Sequence, residues 1–450
     1  MATNKSLFIR KFPKEKKDFL VAIAIFLAMA FFFCILRLRV AGFNLESGDT
    51  AVAEQALWNT IHGDLFRQSF LDNHNNLVEH LNFIQFVYLP FYWAVPSLYT
   101  LYLLINFSYG TACFFLYRYA KERIGFLSAC FMVLFFLLNP IVVLTNIGAM
   151  HVVSVGAPLL LLTLIFYEKR KYGWWICFML LTTATTEFIA PTIFMLGVLA
   201  FLEKRSWKWF LPPVLAGSIM YLASVLFIKI GFSKNDSILK SFQLSEIVKN
   251  NIRGRLSALE EFFRPALYLI PFLSKYSLLL LPTVVMTLFV VNKGRLSPGS
   301  HLFTLVPVIL SFAIIDLIYR KPKFKKAILC VIAIGLVLSL SIYLEKVEDI
   351  KPVKRADDFG RAIALVKDGG SVTASRNLSY HLSHRSELYL VDNQKHTDYI
   401  VLNTSFWDSK PKNNSYLKSI FESDDYVKLM DENDTVVFAK KSKLDALIND

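Results

Sequence analysis

Apolar runs alternate with short basic clusters through the first 344 residues, and that alternation limits what the chain can fold into. The runs lie at about 19–36, 98–117, 125–145, 149–167, 173–202, 209–230, 267–292, 301–319 and 327–344. Arg10–Lys17, Arg118–Arg123, Lys169–Lys171, Lys204–Lys208 and Arg320–Lys326 fall between them or before the first. A helix needs roughly 20 apolar residues to cross a bilayer. Basic loops mark the cytoplasmic side. Only 19% of the residues are charged, against about a quarter in soluble domains. The net charge of +14 therefore reports membrane topology, and no nucleic-acid partner is expected. The five cysteines all sit in apolar runs, so no disulfide framework or CxxC metal site is expected.

The expected organisation has three parts. Residues 1–18 form a cytoplasmic N-terminus, and 19–344 a transmembrane domain of about ten or eleven spans. A linker and an extracytoplasmic α/β domain occupy 345–450. Within the membrane domain, 42–79 is a polar outer loop and 231–264 a second polar loop. Leu81–Pro96 is short for a span and reads as a surface-lying or re-entrant helix. The segment 173–202 is too long for one straight crossing and is basic at both ends, so it reads as a hairpin with Thr185–Glu187 near its tip. Counting 260–292 as two spans broken near Lys275 puts the tail outside, and counting one puts it inside. Charge favours the first. Strand-like runs at Ser371–Ala374, Leu388–Val391, Tyr399–Leu402, Tyr426–Leu429 and Thr435–Ala439 alternate with helix-like stretches, the pattern of a small α/β unit. The fold class is thus mainly α, a polytopic helical membrane domain with a small C-terminal α/β domain.

Few polar groups are left on the outer side. Asp49 follows the first membrane helix, where a carboxylate can take a proton from a sugar or lipid hydroxyl. It can also cap a helix beginning at Gly48–Asp49, and the two roles are compatible. Glu54, five residues on, does not share a helical face cleanly with Asp49 and reads as a supporting or metal-side carboxylate. Glu79 and His80 close the loop, and His80 could bind a phosphate. His151 lies at the outer end of a later span. Glu187 is ionisable at membrane depth, which is costly unless it is paired. The topology brings Asp49, Glu54, His80, His151 and Glu187 to one membrane face. Mg²⁺ or Mn²⁺ could bridge such carboxylates and a diphosphate. Arg67, Lys229, Arg253, Arg255 and Arg264 are the expected phosphate partners. In the tail, His381 and His384 could share a helical face and bind an anion or metal, or pack against the membrane domain.

The run Asp49-Thr-Ala-Val-Ala-Glu54-Gln55-Ala56-Leu57-Trp58-Asn59-Thr60-x-x-Gly63 resembles the opening motif of the DUF2079 family of membrane proteins. Further elements of that family resemble Glu79–His80, Ala149-Met150-His151, Thr185-Thr186-Glu187 and Tyr380-His381-Leu382-Ser383-His384-Arg385. Two departures stand out: Glu54 replaces an Asp, and a Lys-Glu-Asp element keeps one acid, Glu187. The family is similar to GT-C glycosyltransferases, which use polyprenyl-phosphate-linked sugars. That resemblance implies a GT-C-like fold in which Asp49 is the catalytic carboxylate, assisted by Glu54. Glu79, His80, His151, Glu187, Arg67 and Arg253 would then bind substrate. The implied activity is transfer of a sugar from a polyprenyl-phosphate donor to an extracytoplasmic glycan, lipid or protein acceptor at a bacterial inner membrane. A lipid or glycan transporter and a non-catalytic envelope-assembly protein are the rival expectations.

Overall fold

The structure is a computed structural model. It describes residues 14–45, 48–70, 75–148, 150–231, 259–260, 263–264, 273–289, 303–339, 353–367, 369–405 and 414–448. The expected phosphate partners Arg253 and Arg255 lie outside the described residues, as do the side chains of Glu79 and Lys229.

Eleven helices lead the chain: α1 (Lys14–Ala41), α2 (Gly48–Ile61), α3 (Asn76–Glu79), α4 (Gln85–Ala94), α5 (Leu98–Ile124), α6 (Phe126–Leu137), α7 (Pro140–Ile147), α8 (Gly156–Glu168), α9 (Tyr172–Thr183), α10 (Ala190–Leu202) and α11 (Trp207–Gly231). Lys275–Leu280 then enters a helix at Leu281–Phe289, and Val306–Arg320 and Lys325–Leu338 follow. Among the described residues, Lys16–Ala41, Leu98–Ile124 and Trp207–Leu226 are each long and apolar enough to cross a membrane. Taken together as one span, the α6–α7 pair, bent by 54°, makes a fourth such segment. Asn139 and Pro140 make that bend. Asn139 caps α7 through its side chain, and Pro140 takes the first-turn position where no N–H is needed.

The helix α5 is central, packed against α1, α6, α8 and Val306–Arg320. It buries Tyr102, Tyr109, Tyr117 and Tyr119. By contrast α1 and α11 expose Phe19, Leu27, Phe31, Ile219 and Leu222. In a chain this apolar, such a surface suits lipid contact.

The segments α9 and α10 form the two limbs of the expected hairpin, joined through Ala184–Ile189. Their far ends meet in an ion cluster. Glu168 is 2.8 Å from Arg123 and 3.0 Å from Lys275, and Arg205 is 2.8 Å from Glu203. Lys275 also bonds Glu203. Here acidic partners neutralise part of the basic clusters. Lys275 thus stands at the basic end, where Arg320 also bonds the Leu273 carbonyl at 3.0 Å. Among the described residues the backbone bends at Ser274 and a helical turn begins at Lys275, so no single helix runs through this point.

The C-terminal region is a five-stranded mixed sheet of β1 (Val372–Ala374), β2 (Leu388–Leu390), β3 (Tyr399–Asn403), β4 (Tyr426–Glu432) and β5 (Thr435–Lys440), in the order β2-β1-β3-β5-β4. β1 pairs in parallel with β2 and β3, while β5 runs antiparallel to β3 and β4. Alternation along β3 gives the sheet two buried faces. Tyr399 and Val401 join the core of the helical bundle. Ile400 and Leu402 pack under Ser415–Phe421. The sheet is therefore built onto the bundle. It sits at the α2 end, because Val353 N–H donates to the Gly42 carbonyl at 3.0 Å and Phe43 packs edge-on to Phe359.

Candidate active site

The loop after α1 folds back as α2, with its small residues Ala51, Ala53 and Ala56 buried. Asp49 lies in the first turn rather than before it, where a carboxylate is favoured by the N–H groups of the helix start. The Thr50 hydroxyl accepts the Met150 N–H at 2.9 Å. That bond ties α2 to the segment before α8 and sets His151 Nδ1 3.5 Å from Asp49 Oδ2. The Asp49 side chain is 66% exposed, so its carboxylate is open to a ligand.

A second pair stands beside the first. Asn75 caps the short α3 by accepting the Leu77 N–H at 2.8 Å, and the chain leaves the helix at His80 in extended conformation. His80 Nδ1 is 2.6 Å from Glu187 Oε1. The other Glu187 oxygen accepts from the Leu81 N–H and the Thr186 hydroxyl, each at 3.2 Å. Glu187 therefore has an imidazole partner besides the threonines around it. Thr182 instead bonds Thr163 at 3.0 Å. The hairpin tip is held by the Ile84 N–H donating to the Ala184 carbonyl at 2.8 Å. The two pairs are neighbours, since the hairpin tip carrying Glu187 packs on the start of α8 just after His151, where a Cβ on Gly156 would lie 3.0 Å from the Thr185 hydroxyl oxygen.

Glu54 faces elsewhere. It is 2% exposed and accepts from the Ser383 hydroxyl at 2.6 Å. It also meets His384 Nε2 at 2.9 Å and the Tyr92 hydroxyl at 3.4 Å. The hydrogen bond to Glu54 raises the His384 pKa above the usual imidazole value, against the opposing effect of burial. Gln55 extends this seam by donating to Ser69 at 2.9 Å and to the Arg385 carbonyl at 3.0 Å. Ser69 bonds both backbone groups of Leu388 on β2, so the loop closes that edge of the sheet.

Two expected binding groups sit apart from the Asp49 cluster. Arg67 is 3.2 Å from Asp64 and 4.0 Å from Glu387, on the loop side of the tail seam. Arg264 pairs with Glu260 at 3.3 Å. His381 and His384 do not share a helical face, because Tyr380–Arg385 is turn and bend rather than helix. His381 bonds the Val40 carbonyl at 3.1 Å and packs at a tilt against Phe43. Burial lowers its pKa to about 4. Among the described residues no three His, Cys, Asp or Glu side chains are grouped to hold a metal ion. The carboxylates expected to bridge Mg²⁺ or Mn²⁺ are paired with imidazoles. Tyr92 and Ser383 carry no local sequence signal as partners of Glu54. The one clue was the i, i+4 spacing of Tyr88 and Tyr92, which places both on one face of α4. Tyr88 there donates to the Val152 carbonyl at 3.3 Å.

The fold has solved counterparts. ArnT from Cupriavidus metallidurans in the apo state superposes with a TM-score of 0.60 at 12% identity, covering 96% of this chain and 99% of that one. The same protein bound to undecaprenyl phosphate gives 0.57 at 11% identity, covering 92% and 97%. The bundle with its terminal sheet region is thus the GT-C-like fold. No curated protein matches the sequence. The model of DUF2079, a predicted membrane protein, matches residues 39–437, from the end of α1 into β5. The chain therefore belongs to the DUF2079 family.

Proposed function

We propose that the protein is a membrane glycosyltransferase that moves a sugar from a polyprenyl-phosphate donor onto an acceptor hydroxyl outside the cytoplasm. The observation carrying this reading is the exposed Asp49 carboxylate 3.5 Å from His151, with the His80–Glu187 pair alongside. The likeness to an ArnT structure holding undecaprenyl phosphate supports the donor class. In this reading Asp49 takes the acceptor proton. The acceptor oxygen attacks the anomeric carbon, and the bond from that carbon to the phosphate oxygen breaks. Polyprenyl phosphate departs with the electron pair, and the anomeric centre inverts. His151 orients Asp49. Glu187 fixes the His80 ring through Nδ1, so that Nε2 meets the departing phosphate. Glu54 braces the site by tying α2 to the tail. The membrane is the bacterial inner membrane, with the sheet region on its outer face.

A panel of polyprenyl-phosphate sugars, given to purified wild type and Asp49→Asn, tests this reading. Transfer by wild type alone supports it, and equal transfer by both removes Asp49 from the chemistry.

A further inference from the structure

A second polar centre lies along α2 from Asp49, and the catalytic scheme above leaves its outward face unused. Glu54 is five residues beyond Asp49, about 7.5 Å along a helix. Its buried carboxylate is occupied by Ser383, Tyr92 and His384. Burying a carboxylate is costly unless hydrogen bonds compensate, and here three donors converge on it. Its effect falls on His384, the most accessible of the three. The His384 side chain is 48% exposed, although its Nε2 edge is fixed on Glu54. Nδ1 is the ring nitrogen that Glu54 does not engage, on a ring held in one orientation. Beside it, Trp58 lies near-parallel, with ring centroids 6.4 Å apart and planes 18° apart. Trp58 also stacks on His62 at 4.0 Å, which stiffens the indole. His62 is itself held by Nδ1 at 2.7 Å from the Trp58 carbonyl.

A rigid aromatic face beside a carboxylate-braced imidazole is the equipment for a ring-shaped polar ligand that carries an acidic group. The apolar face of a sugar ring packs on indole, and an imidazolium N–H bonds an acid oxygen. We propose that Trp58 and His384, braced by Glu54, form the acceptor subsite, and that the acceptor is a saccharide bearing a phosphate or carboxylate group. This inference rests on the glycosyltransferase reading and extends it. The donor phosphate meets His80 on one side of Asp49, and the acceptor lies along α2 under the C-terminal sheet region on the other. The tail thereby supplies part of the site, through the Ser383–His384 turn.

Binding measured without turnover separates this claim from the catalytic one. The full-length protein in detergent is titrated calorimetrically with glucose 6-phosphate, glucuronate, glucose and orthophosphate. A charge-assisted hydrogen bond contributes roughly 1.5–3 kcal/mol, so at least one of the two acidic sugars should bind about tenfold or more tightly than glucose. The better acidic sugar tells phosphate from carboxylate. His384→Gln keeps a donor for Glu54 and should bring both acidic sugars to the level of glucose, while a cooperative thermal transition shows that the variant is folded. Trp58→Ala should weaken all three sugars. Asp49→Asn should bind as wild type does, so loss of transfer with retained binding marks a failure of chemistry alone. The proposal is overturned if both acidic sugars bind no better than glucose, or if His384→Gln leaves their affinity intact. It is also overturned if orthophosphate binds as well as glucose 6-phosphate, which would mean a simple anion site.

Discussion

His80 Nδ1 lies 2.6 Å from Glu187 Oε1, joining the segment ahead of α4 to the tip of the α9–α10 hairpin across 107 positions of sequence. Glu187 is almost fully buried, and its second oxygen is held by the Leu81 N–H and Thr186. Replacing Glu187 with Gln removes the charge and weakens three hydrogen bonds together. The expected loss is about 1–3 kcal/mol of stability. Thermal unfolding in detergent checks it. In a double-mutant cycle, His80→Ala and Glu187→Gln should cost less together than the sum of the two single changes.

The two tail histidines should respond to pH in opposite directions. His384 has a raised folded pKa, chiefly from its hydrogen bond to Glu54. Its stabilising contribution is full below the unfolded imidazole value and is lost as pH rises through the folded one. His381 has a folded pKa lowered to about 4 by burial. The unfolded chain then binds more protons between that value and the ordinary one of about 6.5, so stability falls as pH drops through that window. The loss should be on the order of 2–3 kcal/mol by pH 4. Unfolding of His381→Gln across this range should lack the acid-side decline. Glu54→Gln should flatten the response attributed to His384.

The helices α10 and α11 approach through glycine. A Cβ on Gly217 would lie 2.7 Å from the Ala190 carbonyl oxygen and 2.8 Å from the Phe194 nitrogen, both backbone atoms that cannot rotate aside. Gly217→Ala should therefore destabilise by about 1–3 kcal/mol. It should also disturb the hairpin at Glu187, because Ala190 begins the limb that follows it. Ser218→Ala, one position along, provides the control, and comparison of the two unfolding midpoints tests the packing claim.

The ion cluster around Lys275 lies at the far ends of the α9–α10 hairpin, and the Glu187–His80 pair at its tip. Single cysteines at Asp64 and Glu422 should react with an impermeant thiol reagent from outside the cell. Cysteines at Lys171 and Lys323 should react only after the inner face is opened. Labelling of Glu422→Cys from the inner face alone would reverse the orientation assigned to the tail.

Much of this arrangement could be read from local pattern. The five strands stand within a residue or two of their expected positions, except that β4 continues to Glu432. Tyr399-Ile-Val-Leu and Thr435-Val-Val-Phe are short β-branched and aromatic runs that a sheet buried on both faces requires. The hairpin followed from length and flanking charge, two quantities a bilayer constrains directly. Pairings between distant segments were not legible. Glu54 and His384 are 330 positions apart, and nothing in either neighbourhood names the other. In the sequence, the side of the sheet region turns on whether 260–292 crosses once or twice. Contacts such as Val353 to Gly42 place it with α2. Arg67 is the opposite case. A basic residue in an outer loop has the right chemistry for phosphate, yet two nearby carboxylates engage it.

The central claim is that Asp49 removes the acceptor proton. The most direct measurement is the rate of sugar transfer from polyprenyl-phosphate donors by purified wild type and by Asp49→Asn, with donor binding followed in parallel. Loss of a general base typically costs about 10²–10⁴-fold in rate. The account predicts a loss of that size while donor binding is retained. Equal transfer rates in the two proteins would contradict it.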